Sequence, residues 1–170
     1  MKKLILVYGA ISGLVVIVIN TFSYDLGISS TWLGFLVMFI AFSAIFFAVK
    51  QYRDESLGGV IRFGTGFLVG IGITLVASVV YVLVWEIYLA MTDYAFVDDY
   101  IRSVVEGQEA AGASPEEMAA TIADMETMRE QYANPIVRLP MTFVEIFPVG
   151  LLISLISAFV LKESKNLAAG

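Results

Sequence analysis

Two glutamates, Glu86 and Glu145, interrupt long apolar stretches of this 170-residue chain. Asn20, Arg138 and Thr142 fall at comparable distances from the ends of such stretches. An ionisable group set among so many apolar residues is costly to keep, and by default it marks a functional position. Arg138 can pair with one carboxylate, leaving the other to hold a proton or a cation in an outward-facing polar pocket. The plainer reading is that these groups reach a wet interface or form a structural polar clasp, and their shallow depth favours it. Pro148, followed by Gly150, lies just beyond Glu145. Proline cannot donate the helical hydrogen bond, so a kink near Val144–Glu145 is expected. A kink beside a glutamate resembles the broken helices of transporters, but it is also common in helices with no transport role.

Other chemistry is constrained by what the chain lacks. It has no cysteine and no histidine. Disulfides, thiolate nucleophiles, zinc fingers, His-ligated haem and Ser-His-Asp groups are therefore excluded. Met118, Met125 and Met128 could in principle hold Cu(I), but a methionine stripe at helical spacing is far more often packing material. The acids between Asp93 and Glu130 show no EF-hand spacing and read as a solvated face. Gly58, Gly59, Gly64 and Gly66 lack the Lys-Ser/Thr of a phosphate loop. The expectation is a protein that is not an enzyme and uses no cofactor or metal.

The elements that must position these groups follow from hydropathy. The chain is 59% apolar with a mean hydropathy of +0.85, where soluble domains are about 45–50% apolar. Four runs, Leu4–Phe22, Trp32–Val49, Phe63–Trp85 and Phe143–Leu161, are each apolar for about the ~20 residues that cross a bilayer. In lipid the backbone must bond within the segment, so each run is expected to be a helix. The third can continue outwards through Tyr88 towards Met91, and the fourth can begin near residue 140. The predicted fold is all-α and polytopic. It has four transmembrane helices, over about 4–22, 32–49, 63–88 and 140–161, in a single membrane domain spanning 1–170. An extramembrane, amphipathic helical hairpin over about 92–136 separates the third and fourth.

Met1–Phe22 has the basic start of a signal peptide. Asn20-Thr21-Phe22-Ser23 is a poor cleavage site, so a retained span is expected. Lys2, Lys3, Lys50, Arg53, Arg62, Lys162 and Lys165 all fall on one side of a four-span arrangement. The positive-inside rule makes that side cytoplasmic, with both termini inside. Phe22, Tyr24, Trp32, Trp85, Tyr88, Tyr94 and Phe143 would mark the outer interface, and Tyr52 and Phe63 the inner one.

The insert holds ten acids against Arg102 and Arg129. So acidic a chain has no basic handle for nucleic acid. Phe96, Val97, Tyr100, Ile101, Val104 and Val105 recur at helical spacing. Ser114-Pro115-Glu116-Glu117 reads as a capped helix start. Met118, Ile122, Met125, Met128 or Arg129, and Tyr132 would form one apolar stripe, which Asn134-Pro135 ends.

Small residues repeat every four positions: Gly9 and Gly13; Gly66, Gly70, Thr74 and Ser78; Gly150, Ser154 and Ala158. Such stripes let helix backbones approach closely in lipid. They predict a compact bundle, or alternatively a homodimer through the Gly66–Gly70 face.

The chain also resembles a known bacterial membrane-protein family, domain of unknown function 4199, over nearly its whole length. The resemblance rests on Gly58-Gly59-Val60-Ile61-Arg62-Phe63-Gly64 and on Asn134-Pro135. It rests further on Phe143-x-Glu145-x-x-Pro148-x-Gly150 and Ser154-Leu155-Ile156-x-Ala158. It implies four spans with an outer insert before the last, and it implies no activity. The leading expectation is a non-enzymatic inner-membrane accessory module. Its acidic insert would contact a partner, with the lipid bilayer as its other surroundings and a homo-oligomer as a variant. The rivals are a small transporter or channel using Glu86 and Glu145, and an intramembrane enzyme acting through a carboxylate.

Overall fold

A computed structural model describes residues 1–28 and 30–162; Lys165, one of the bases used to orient the chain, lies outside the described residues. Among those residues the secondary structure is entirely helical: α1 Lys2–Asp25, α2 Thr31–Ser56, α3 Phe63–Met91, α4 Ala95–Ala110, α5 Pro115–Ala133 and α6 Pro135–Leu161. α1, α2, α3 and α6 are long and apolar enough to cross a membrane.

Each of these four helices outruns its apolar stretch, and local hydrogen bonding explains the limits of α2 and the start of α6. α2 starts where the Ser30 hydroxyl accepts the Leu33 N–H at 3.1 Å. It continues past Val49 because its polar last turns are satisfied: Gln51 accepts from the Tyr8 hydroxyl at 2.9 Å and donates to Glu55 at 3.1 Å. It stops where Gly58 and Gly59 take positive φ of 65° and 89°, with the Gly59 N–H returning to the Arg53 carbonyl at 3.0 Å. α6 begins at Pro135, earlier than the apolar run. Proline suits the first helical position, and the Asn134 side chain accepts the Ile136 N–H at 3.0 Å. α6 then runs as one helix through Pro140 and Pro148.

The chain divides into two compact units. The first holds Met1–Val84 and the described residues from Phe143 onward. Its packing is governed by small side chains. A Cβ on Gly9 would lie 2.6 Å from the Val76 Cβ, and one on Gly13 would lie 2.5 Å from the Ala77 carbonyl oxygen. α1 therefore rests directly on α3. The stripe on α3 meets the stripe on α6 in antiparallel register: Gly66 lies by Ala158, Gly70 by Ser154, and Thr74 by Gly150. Phe42, fully buried on α2, reaches into the same seam at Gly150. The α3 glycines are thus occupied within the chain, and the face that a Gly66–Gly70 homodimer would need is not free.

Hydroxyls in this apolar interior mostly find partners, as buried polar groups must. Ser12 donates to the Ala41 carbonyl at 3.2 Å. The Thr74 and Ser154 hydroxyls meet at 3.1 Å, and Ser154 donates to the Gly150 carbonyl at 2.7 Å. Ser78 Oγ, next along the α3 stripe, is buried without a hydrogen-bond partner among the described residues.

The second unit is Trp85–Thr142. Its α4 and α5 are joined by a turn with Gly112 at φ +77°. Arg129 near the end of α5 reaches Asp98 near the start of α4 at 2.7 Å. Ser114 and Glu117 form a reciprocal capping box. Along α5 the half-buried positions are Met118, Thr121, Met125, Met128 and Tyr132. Ile122, expected in the stripe, is 53% exposed instead. The inward line advances by alternating steps of three and four, the spacing of a helix that touches one neighbour along a narrow seam. Thr121 falls on that line and Ile122 falls beside it.

Close contact at Gly13 and Gly70 sets a testable asymmetry. Gly13→Leu and Gly70→Leu should each destabilise the detergent-solubilised protein by about 1–3 kcal/mol, the usual cost of overpacking. Gly64→Ala, where nothing lies within 4 Å of the added methyl, should leave the melting temperature unchanged or slightly raised. Equal effects at all three positions would remove the packing assignment.

Candidate functional site

The polar residues picked out by sequence fall into two separate arrangements, one in each unit. In the second unit, Arg138 sits on the first turns of α6 and is only 3% exposed. Its guanidinium grips Glu86 of α3 with two parallel bonds, Nε to Oε1 at 2.7 Å and Nη2 to Oε2 at 2.6 Å. Its remaining nitrogen, Nη1, donates to the Tyr132 carbonyl at 2.8 Å. The rings of Tyr94 and Tyr132 face the cation at 5.2 and 5.8 Å, a favourable placement for a desolvated guanidinium. Thr142, one turn on, donates to the Arg138 carbonyl at 3.1 Å.

Aromatic side chains close this arrangement. The Trp85 indole N–H donates to the Tyr132 hydroxyl at 2.7 Å. Trp85 also stacks on Tyr88 at 5.4 Å and meets Phe96 edge-on at 4.8 Å. Tyr94 reaches the guanidinium from a strained turn. Asp93 and Tyr94 both take left-handed backbone angles, φ 49° and 60°, at a cost of about 1–2 kcal/mol each. The Tyr94 N–H to the Leu89 carbonyl, 2.9 Å, holds the turn. Chemically this is a pin. Bidentate pairing occupies the Glu86 carboxylate and neutralises the guanidinium charge. Sequence reasoning assigned Trp85 and Tyr94 to the interface and Tyr132 to the α5 stripe. Their grouping around Arg138 is missed because three helices and a turn must fold before they meet. The one advance signal is an arginine among apolar residues with a carboxylate, Glu86 or Glu145, to pair with.

In the first unit, Glu145 lies on an exposed face of α6. Its Oε1 accepts from the hydroxyl of buried Tyr81 at 3.1 Å. Asn20 is half-buried on α1 and, among the described residues, is hydrogen-bonded to neither carboxylate. Thus Glu86 and Glu145 have different partners. Among the described residues no three acidic side chains gather closely enough to hold a metal ion.

A family model described as Protein of unknown function (DUF4199) matches residues 7–163. The chain belongs to that family. The match runs from within α1 to the residues just after α6, so it takes in both the Arg138–Glu86 pin and the Tyr81–Glu145 contact. No curated protein and no solved structure matches the chain.

Two outcomes follow. Arg138→Met alone leaves the Glu86 carboxylate without its partner and should cost about 3–5 kcal/mol, whereas the double change Arg138→Met with Glu86→Leu should recover most of it. Unfolding in detergent measures both, and a costless single change contradicts the pin. The second outcome concerns the cap of α5. The Ser114 N–H, at 2.7 Å from Glu117 Oε2, and then the Ser114 hydroxyl hold the Glu117 carboxyl below its ordinary 4.5. A lowered carboxyl stabilises the fold above the ordinary value and ceases to do so as pH falls through the lowered one. Exchange protection of the Ser114 amide, corrected for intrinsic rates, should be full at neutral pH and be lost only as pH falls below the ordinary 4.5 of a glutamate and through the lowered value. Glu117→Gln should abolish that dependence.

Proposed function

We propose that the chain is a non-enzymatic accessory module of a bacterial inner membrane, N- and C-termini inside, whose α4–α5 insert contacts a protein partner. The observation that carries this reading is an open groove of about 610 Å³ on α4 and α5. Ile101 and Val105 supply its apolar surface, and Asp98, Arg102, Glu106 and Arg129 supply its charges. An apolar strip bordered by charges suits the anchor-and-rim pattern of a protein contact. The Arg138–Glu86 pin supports the same reading, because it joins two helices within the unit that carries the groove. Orientation rests on the distribution of lysine and arginine along the chain.

A second reading, a small transporter, is favoured by one observation, the exposed Glu145 carboxylate on a membrane-crossing helix. The two readings separate in one series. In the host membrane, Ile101→Asp with Val105→Asp should abolish co-purification of a defined partner while the protein's melting temperature holds. A partner retained by that variant contradicts the insert reading. Flux across proteoliposomes that falls in Glu145→Gln would move the assignment to transport.

A further inference from the structure

Glu145 does not stand alone on its face of α6. Glu145, Pro148, Leu152, Leu155 and Phe159 follow one another at alternating spacings of three and four, and all are exposed. Leu152, Leu155 and Phe159 are 48%, 40% and 62% exposed. That spacing is the seam of a helix meeting a second helix at a shallow angle. The seam carries two hydrogen-bond acceptors side by side. One is Glu145 Oε2, since the Tyr81 hydroxyl is bonded to Oε1. The other is the carbonyl of Val144, to which Pro148 has no N–H to give; Val144 as a residue is 61% exposed. Counted along the helix from Leu161, Glu145 lies about 24 Å up, inside a hydrocarbon layer about 30 Å thick. At that depth an ionised carboxylate gains from a counter-charge beside it.

Two adjacent acceptors and one negative charge define what must cover them: a cation with more than one N–H. The membrane-crossing helices of a second copy offer no such group. No lysine or arginine occurs from Leu4 to Val49 or from Phe63 to Met91. Arg138, on α6, is spent on Glu86. A second copy would bring only another carboxylate. We therefore propose that this face of α6 receives a transmembrane helix of a different protein, whose lysine or arginine donates to Glu145 and to the Val144 carbonyl. This contact lies within the membrane and does not depend on the insert groove.

The test places a photo-reactive amino acid at Leu152 of the full chain in its own host membranes and identifies adducts by mass spectrometry. The expected result is an adduct to another polypeptide, through a membrane-spanning peptide that contains lysine or arginine. Its yield should fall roughly tenfold in Glu145→Gln, the worth of one charge-assisted hydrogen bond, and return in Glu145→Asp. Leu155→Trp, on the same exposed face and outside the chain's own packing, should lower the yield without changing the melting temperature. Adducts to lipid alone overturn the proposal. So do adducts to a second copy of this chain, or a partner adduct whose yield is unchanged in both Glu145→Gln and Leu155→Trp.

Discussion

Four helices here are long and apolar enough to cross a membrane, and a backbone carbonyl or amide in hydrocarbon has no water to bond. That constraint leaves the four apolar runs no state but helix. It also removes the usual reason for helices to associate, because lipid is as apolar as leucine. What remains to hold the bundle is close contact, and close contact requires small side chains where helices cross. Gly9 and Gly13 bring α1 onto α3 at distances that a single methyl would violate. Gly70 and Gly150 do the same between α3 and α6, with Ser154 and Thr74 as the facing residues. The hydroxyls in that seam bond to each other and to helix carbonyls, so close approach is gained without stranding most of the polar atoms.

The charged residues obey the same constraint in two different ways. Arg138 is buried and meets its needs internally, through a bidentate carboxylate, a carbonyl and two ring faces. Its helix can therefore start at Pro135, well before the apolar run, with a guanidinium in its second turn. Glu145 has one internal bond and an exposed position. The first arrangement is complete within the chain, and the second is not. That contrast separates an architectural ion pair from the group for which we propose a counterpart on another molecule.

Much of this was legible in the residues themselves. Hydropathy marks the four long helices because burial in lipid demands nearly unbroken apolar runs. Ser114-Pro115-Glu116-Glu117 announces the start of α5 because a capping box is a local device that needs only four residues. Helix ends were less legible. Polar turns such as Gln51–Glu55 stay helical when their side chains find partners, and hydropathy does not register those partners. Ile122 was misplaced because one turn offers two neighbouring inward positions, and only the neighbouring helix decides between them. The ring of Trp85, Tyr94 and Tyr132 around Arg138 was invisible for a similar reason. Helix rotation is set by tertiary contact, and the sequence of one helix does not contain it. The small-residue stripes could be read, but which stripe meets which could not.

The central claim is that lipid covers the outward apolar faces of α1, α2, α3 and α6. Leu14, Phe39, Leu75 and Leu152 are 44%, 43%, 44% and 48% exposed on those four helices. Because the chain has no cysteine, single cysteines at these positions can carry a nitroxide label in the full-length protein reconstituted in vesicles. The account predicts high collision rates with oxygen and low rates with a water-soluble nickel chelate at all four sites. Nickel accessibility exceeding oxygen accessibility there, with the protein still folded, would contradict it.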